Sequence, residues 1–150
     1  MNTQAGTRIT REYCMEINAE AKEIFPLLCP VREYDWIPHW RCRMLYSASG
    51  FAELGCVFQT ELDDRYGTET WLVICHEKDR KIAFVRTGPR RVTYYEITLT
   101  PSKKGTRLIW SQVITGLDSK GCELISAESP SEFAATMHNL EGLLVQYLKC

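Results

Sequence analysis

The sequence predicts an α+β fold: a curved antiparallel sheet of seven strands wrapped around one long carboxy-terminal helix, with two short helices after the first strand. Three observations carry that expectation. Between Cys42 and Thr115 apolar and polar residues alternate, and turn residues break the alternation at regular intervals. From Phe133 to Tyr147 the apolar spacing changes to that of one helical face. Ahead of both lies one more alternating stretch, followed by a helical segment that Pro26 and Pro30 keep short.

The first strand is TRITREYCMEI, Thr7 to Ile17, in which Ile9, Tyr13, Met15 and Ile17 stand among polar neighbours. Asn18 is the expected cap of the next helix, where Ile24, Leu27 and Leu28 form a stripe and Glu20 lies near the positive end of the dipole. Pro26 removes a helical hydrogen bond and Pro30 blocks continuation. The segment EYDWIPHW follows, with Trp36 and Trp40 bracketing Pro38.

Six strands are read in the alternating region: CRMLYSAS, CVFQTELDD, TETWLVICHE, KIAFVRT, RVTYYEITLT and RLIWSQVIT. The connections GFAELG, RYG, KDR, GPR and PSKKG have the composition of turns and hairpin loops. A one-residue bulge would exchange the faces of Tyr94 and Tyr95, so pattern alone leaves their sides open. GLDSKGCELISAE reads as a loop. Ser129 as N-cap, Pro130 at the first helical position and Glu132 three residues after the cap then make a capping box. The helix they open presents Phe133, Met137, Leu140, Leu144 and Tyr147 on one face, with Glu132, Asn139, Glu141 and Lys149 expected opposite.

A meander with one wet face must cover the other, and only the terminal helix is long enough to do so. A curved sheet and one helix rarely touch along their whole length, so an internal pocket is expected between them.

Composition narrows the functions. The 150 residues suit one domain spanning the whole chain, 1–150, and 45% hydrophobic with 25% charged residues is ordinary for a packed protein. A net charge of -1, from 18 basic and 19 acidic side chains, gives no long-range field to attract nucleic acid or an anionic membrane. Seven cysteines without C-x-x-C spacing fit reduced thiols rather than a metal site, and no cofactor motif stands out. MNTQAGTRIT has no apolar core for a signal peptide and no later apolar run approaches the roughly 20 residues of a bilayer span, so a cytoplasmic location without membrane insertion is expected. Monomer and homo-oligomer are both compatible with this composition.

The order of elements resembles that of the superfamily of START domains, birch-pollen allergens and polyketide cyclase or dehydrase-like proteins, known as SRPBCC. The resemblance rests on IFPLLCPVREYDWIPHW, GCVFQT, TWLVICHEKDRKIAFVR, ITLTPSKKGTRLIWSQVITGL and EFAATMHNLEGLLVQYL, which together cover nearly the whole chain. It implies a helix-grip fold that holds a small hydrophobic molecule, polyketide- or lipid-like, with cyclase or dehydratase-like chemistry left open. The superfamily shares no catalytic residues, so none are carried over and no cofactor is implied. Its co-chaperone branch supplies the alternative, a protein-interaction module without a small ligand.

Candidate ligand contacts follow from the alternation. Phe58, Thr60, Trp71, Val73, Phe84, Arg86, Ile97, Leu108, Trp110 and Gln112 form the sets expected to turn inward. From these, Phe58, Thr60, Trp71, Phe84, Arg86, Trp110 and Gln112 are taken as pocket residues, with Tyr95 if its side is right. Trp36 and Trp40 would stand at the mouth, and Met137, Leu140 and Leu144 would form a floor on the helix. Plain core packing is the competing reading for every aromatic and Met in this set. Arg86 also has two readings: an inward guanidinium needs Glu96, Glu61 or an acidic ligand, whereas the preferred one leaves it in water beside Arg90 and Arg91. Asp35 and His39 could make a proton-transfer pair, but with no nucleophile nearby Asp35 reads rather as the cap of a turn beginning at Trp36. Asp63 and Asp64, ahead of a hairpin turn, are expected in solvent.

Overall fold

The structure, a computed structural model, describes residues 6–149. Strand β1 (Arg8–Ile17) leads into a single helical turn, α1 (Ala21–Ile24), and two 3-10 turns, Phe25–Leu28 and Glu33–Asp35. Strands β2 (Arg43–Tyr46), β3 (Val57–Thr60), β4 (Glu69–Glu77), β5 (Lys81–Thr87), β6 (Arg91–Ser102) and β7 (Gly105–Gly116) follow, then helices α2 (Ser119–Ala127) and α3 (Pro130–Leu148). The seven strands make one sheet in the order β1-β7-β6-β5-β4-β3-β2, antiparallel throughout. The meander and the α+β architecture are as the sequence predicts.

Irregularities fall where the sheet must bend. Register shifts lie between Met44 and Tyr46 and between Val73 and Cys75, and such bulges increase local twist. From β5 to β7 the pairing is unbroken: Phe84 faces Tyr95, and Tyr95 faces Gln112. Tyr95 is therefore buried with Phe84, while Tyr94 is exposed on the outer face. All ten side chains expected to turn inward are buried. The seven apolar ones, all but Thr60, Arg86 and Gln112, join Ile24, Leu27 and Leu28 from the first helical segment and Phe133, Met137 and Leu144 from α3 in one apolar cluster.

Three local expectations are corrected. The cap of α1 is Glu20, not Asn18, and it forms a capping box with Glu23, whose carboxylate accepts from the Glu20 amide at 2.9 Å. The chain first makes a tight turn in which the Ala19 amide donates to the Ile17 carbonyl, so the helix starts two residues later than Asn18 would allow. The stretch read as a loop contains α2. Asp118 caps it by accepting from the Gly121 amide at 2.6 Å, and Gly121 lies so close to the Arg90 carbonyl that a Cβ would come within 1.9 Å of it. Glycine at position 121 is what lets this helix lie on the β5–β6 turn. Glu141, expected on the wet side of α3, instead accepts from the Tyr13 hydroxyl at 2.6 Å and ties the helix to β1.

The N-cap and proline of α3 match expectation, with Pro130 in the first turn and Ser129 Oγ accepting from the Glu132 amide at 3.1 Å, but of the expected capping box only this half is formed among the described residues. Among the described residues no helix is long and apolar enough to cross a membrane.

Candidate functional site: a cavity between sheet and terminal helix

Sheet and α3 do not close on each other completely. Between them lies a cavity of about 540 Å³, floored by Phe133, Met137 and Leu140 of α3 and walled by strands β3 to β7. Exposed residues on its lining, among them Pro38, His39, Leu62, Arg65 and Glu132, mark where it meets solvent.

The strand register builds an aromatic wall. Phe58 pairs across strands with Trp71, and their rings stack with centroids 5.4 Å apart. Trp71 meets Phe84 edge-on at 5.5 Å and Tyr95 at 6.0 Å, and Tyr95 meets Trp110 at 6.3 Å. These are the offset and edge-to-face geometries that aromatic quadrupoles favour. The result is a nearly continuous ring surface across the sheet.

Set into that wall is Arg86, which faces Trp71 across the β4–β5 ladder. Only 8% of it is exposed, so the reading that left it in water is wrong: its strand places every second residue inside, and Phe84 fixes the phase. Its guanidinium carbon lies 5.0 Å from the centre of the Trp71 ring. Nη2 donates to Thr93 Oγ1 at 3.1 Å and, more weakly, to Gln112 Oε1 at 3.5 Å. Its acidic neighbour is neither Glu96, which pairs with Lys81 outside, nor Glu61, but Glu69 at 3.9 Å. Glu69 is committed elsewhere, because both its oxygens accept from Arg91 at 2.8 Å. Arg91 in turn lies over the Tyr66 ring at 3.6 Å. Arg86 Nε is buried with no hydrogen-bond partner among the described residues. Burial, then repulsion from Arg91, pulls the Arg86 guanidinium down to about 10, with Glu69 opposing.

Two proton donors share the cavity. Burial pushes the Tyr95 phenol up to about 12, Arg86 and Gln112 opposing, so it stays neutral. Glu33 presents its carboxyl from the second 3-10 turn. It is half-exposed by area, yet protein surrounds the group, the situation of a side chain facing a cavity rather than bulk water. Desolvation holds its carboxyl well above the ordinary range.

The tryptophans of the proline-rich segment also line the cavity. The first 3-10 turn ends at Leu28 and cannot continue through Pro30, which leaves carbonyls without helical partners. Trp36 Nε1 donates to the Leu27 carbonyl at 2.9 Å and Trp40 Nε1 to the Pro30 carbonyl at 2.8 Å. The two rings thus pack into the junction and also lie on the cavity lining. Asp35 does not cap the turn at Trp36. It is the last residue of the 3-10 turn and its carboxylate accepts from Arg32 Nε at 2.9 Å, leaving His39 alone of that pair on the cavity lining. Asp63 is half-buried and paired with Arg65 at 2.7 Å rather than free in solvent.

Of the candidate ligand contacts, Trp36, Trp40, Phe58, Trp71, Phe84, Arg86, Tyr95, Trp110, Gln112, Met137 and Leu140 line the cavity. Thr60 and Leu144 do not. Thr60 Oγ1 accepts from Trp71 Nε1 at 2.9 Å, and Leu144 is fully buried in the packed core. Sequence reasoning missed Glu33, Glu69, Arg91 and Tyr66. Glu69 had a signal: it stands two residues before Trp71, on the same strand face. Glu33 had none, because no periodicity governs an irregular segment. Among the described residues no three His, Cys, Asp or Glu side chains converge as a metal site would require.

No protein-family model matches the chain, and no curated protein matches its sequence. Solved structures do match its fold. An uncharacterised protein from Rhizobium leguminosarum superposes with a TM-score of 0.68 at 11% identity over 97% of both chains. Norcoclaurine synthase from Thalictrum flavum, solved with dopamine and hydroxybenzaldehyde, gives 0.66 at 11% identity over 97% of this chain and 95% of that one. DynU16, a protein of the dynemicin biosynthetic locus, gives 0.64 at 17% identity over 93% of this chain and 47% of its own. At such identities the likeness establishes the helix-grip fold.

Proposed function

We propose that the whole chain, as one helix-grip domain, binds a small hydrophobic or aromatic molecule of polyketide or lipid type in the cavity under α3. The observation that carries this reading is the cavity itself, about 540 Å³ and walled by stacked rings with a few polar groups set among them. One fold neighbour supports an aromatic ligand, since norcoclaurine synthase holds dopamine and hydroxybenzaldehyde, and another, DynU16, comes from a dynemicin biosynthetic locus. The described cysteines are free thiols, which suits the cytoplasm.

Chemistry of the cyclase or dehydratase kind would come from holding a flexible ligand folded against the aromatic wall. Tyr95, and Glu33 with its carboxyl raised well above the ordinary range by desolvation, would donate protons or hydrogen bonds to ligand oxygens, and Arg86 would stabilise negative charge developing there.

Native mass spectrometry of the protein purified from its own host tests the proposal. A co-purifying small molecule is expected, released on denaturation and displaced by aromatic competitors. An empty protein that also leaves apolar fluorescent probes unbound would sink it. A second reading, an interaction module without a ligand, draws on exposed Leu45 and Tyr46 of β2 and Leu72 and Ile74 of β4. Under that reading the empty protein would instead yield a specific cross-linked partner through β2 or β4.

A further inference from the structure

Resting on the cavity as a ligand site, we infer that the ligand is an anion: a flat apolar body bearing one negatively charged oxygen group, a carboxylate or an ionised phenol or enol, seated on Arg86. The argument is one of charge and of hydrogen-bond geometry. Among the described residues Arg86 and Arg91 share one carboxylate as ion-pair partner, Glu69. Arg91 takes both oxygens of that carboxylate at 2.8 Å, whereas Arg86 Nε stands 3.9 Å away and has no hydrogen-bond partner among the described residues. The two acceptors Arg86 does reach, Thr93 Oγ1 and Gln112 Oε1, are neutral. The buried cluster therefore carries one unbalanced positive charge, a state that proteins avoid unless a counter-ion joins it.

No other acid on the cavity lining supplies that counter-ion. Asp63 is matched by Arg65 at 2.7 Å. Glu128 and Glu132 stand at the junction of α2 and α3, half-buried and exposed, where water solvates them. Glu33 forms no ion pair with Arg86, whose carboxylate contact among the described residues is Glu69, and desolvation raises the Glu33 carboxyl well above its ordinary range. The faces of Trp71 and Tyr95 steady the guanidinium, at 5.0 and 6.0 Å, but they offer no acceptor in its plane. A ligand carboxylate or phenolate beside Arg86 would supply both the charge and the acceptor, while its apolar body lay along the rings.

The test compares 2-naphthoate with 2-naphthamide, which share ring and shape and differ in charge, by titration calorimetry on the full chain at neutral pH and low salt. Naphthoate should bind about ten- to a hundredfold more tightly. Arg86→Met should erase that preference by weakening naphthoate alone, and Lys103→Ala, in the exposed β6–β7 turn and off the cavity lining, should leave it intact. Equal affinities in the unaltered protein overturn the inference but leave the cavity reading standing; binding of neither compound overturns both. A preference that survives Arg86→Met, or disappears in Lys103→Ala, moves the anion to another cation and also overturns it. Should Arg86→Met fail to fold, Arg86→Lys keeps the charge without the planar fork and should retain a reduced preference, so an undiminished one counts against the assignment.

Discussion

Met15, Leu99 and Leu108 meet across three neighbouring strands near one end of the sheet, and Tyr95 and Gln112, with Arg86 and Trp71 beyond them, lie a few residues along the same strands. Both groups sit on the inner face and obey the same alternation. The first is aliphatic and at most 4% exposed, and it packs solid with Ile24, Leu28 and Leu144. The second is aromatic and polar, and a cavity remains in front of it. Alternation thus decides which residues face inward, whereas their bulk and polarity decide whether the interior closes. Large rigid rings and a guanidinium cannot interdigitate under one helix as branched aliphatics do.

The sharpest way to break this contrast is to remove the charge that holds the hollow end together. Glu69→Ala leaves two buried arginines without their carboxylate and should destabilise the protein by roughly 3–5 kcal/mol, read from the urea midpoint. A loss below about 1 kcal/mol would mean that water already solvates the cluster. Next in size, Leu144→Ala at the solid end should cost about 2–5 kcal/mol, because the methyl groups removed leave a void. Leu140→Ala, which only enlarges an existing cavity, should cost less than half as much in the same measurement, and equal losses would deny that the two ends differ.

A pH series sharpens the comparison further. The folded-state pKa of Glu33 is raised, so the native protein holds this proton more tightly than the unfolded chain does. The stability contributed is present at low pH and is lost as pH climbs from the ordinary carboxylate range through the raised value. Glu33→Gln should therefore gain stability relative to the parent as pH rises through that window. Cys42 and Tyr95 lie within electrostatic reach of Glu33, and burial raises both above their ordinary values. A difference between variant and parent that is flat with pH would place the carboxyl in bulk water. The smallest expected effect is that of Trp110→Phe. Trp110 Nε1 is buried without a hydrogen-bond partner among the described residues, so losing it offsets the lost ring area, and stability should move by less than about 1 kcal/mol.

Much of the fold was legible because two periods, of a strand and of a helix, are imposed by backbone geometry on every packed residue. Phe58, Trp71, Phe84, Trp110 and Gln112 could be placed on the inner face from that alone. Arg86 was legible as a position but not as an environment, since its partners Thr93, Gln112 and Glu69 reach it from three other strands. α2 was hidden by Gly116 and Gly121. Glycine normally argues against a helix, but here a side chain on Gly121 would strike the Arg90 carbonyl. Glu33 was hidden because its direction is set by a 3-10 turn between prolines, where no repeating pattern exists to read.

The indole bonds of Trp36 and Trp40 to the Leu27 and Pro30 carbonyls bear on how a guest would get in. Each ring is anchored by its nitrogen to a peptide outside any α-helix, so swinging Trp36 aside would strand the Leu27 carbonyl and swinging Trp40 aside would leave the Pro30 carbonyl only a weak bond from Cys42 Sγ at 3.8 Å. That flank is a fixed doorpost, and a guest must thread between it and the rim that exposed Leu62 and Arg65 present between β3 and β4.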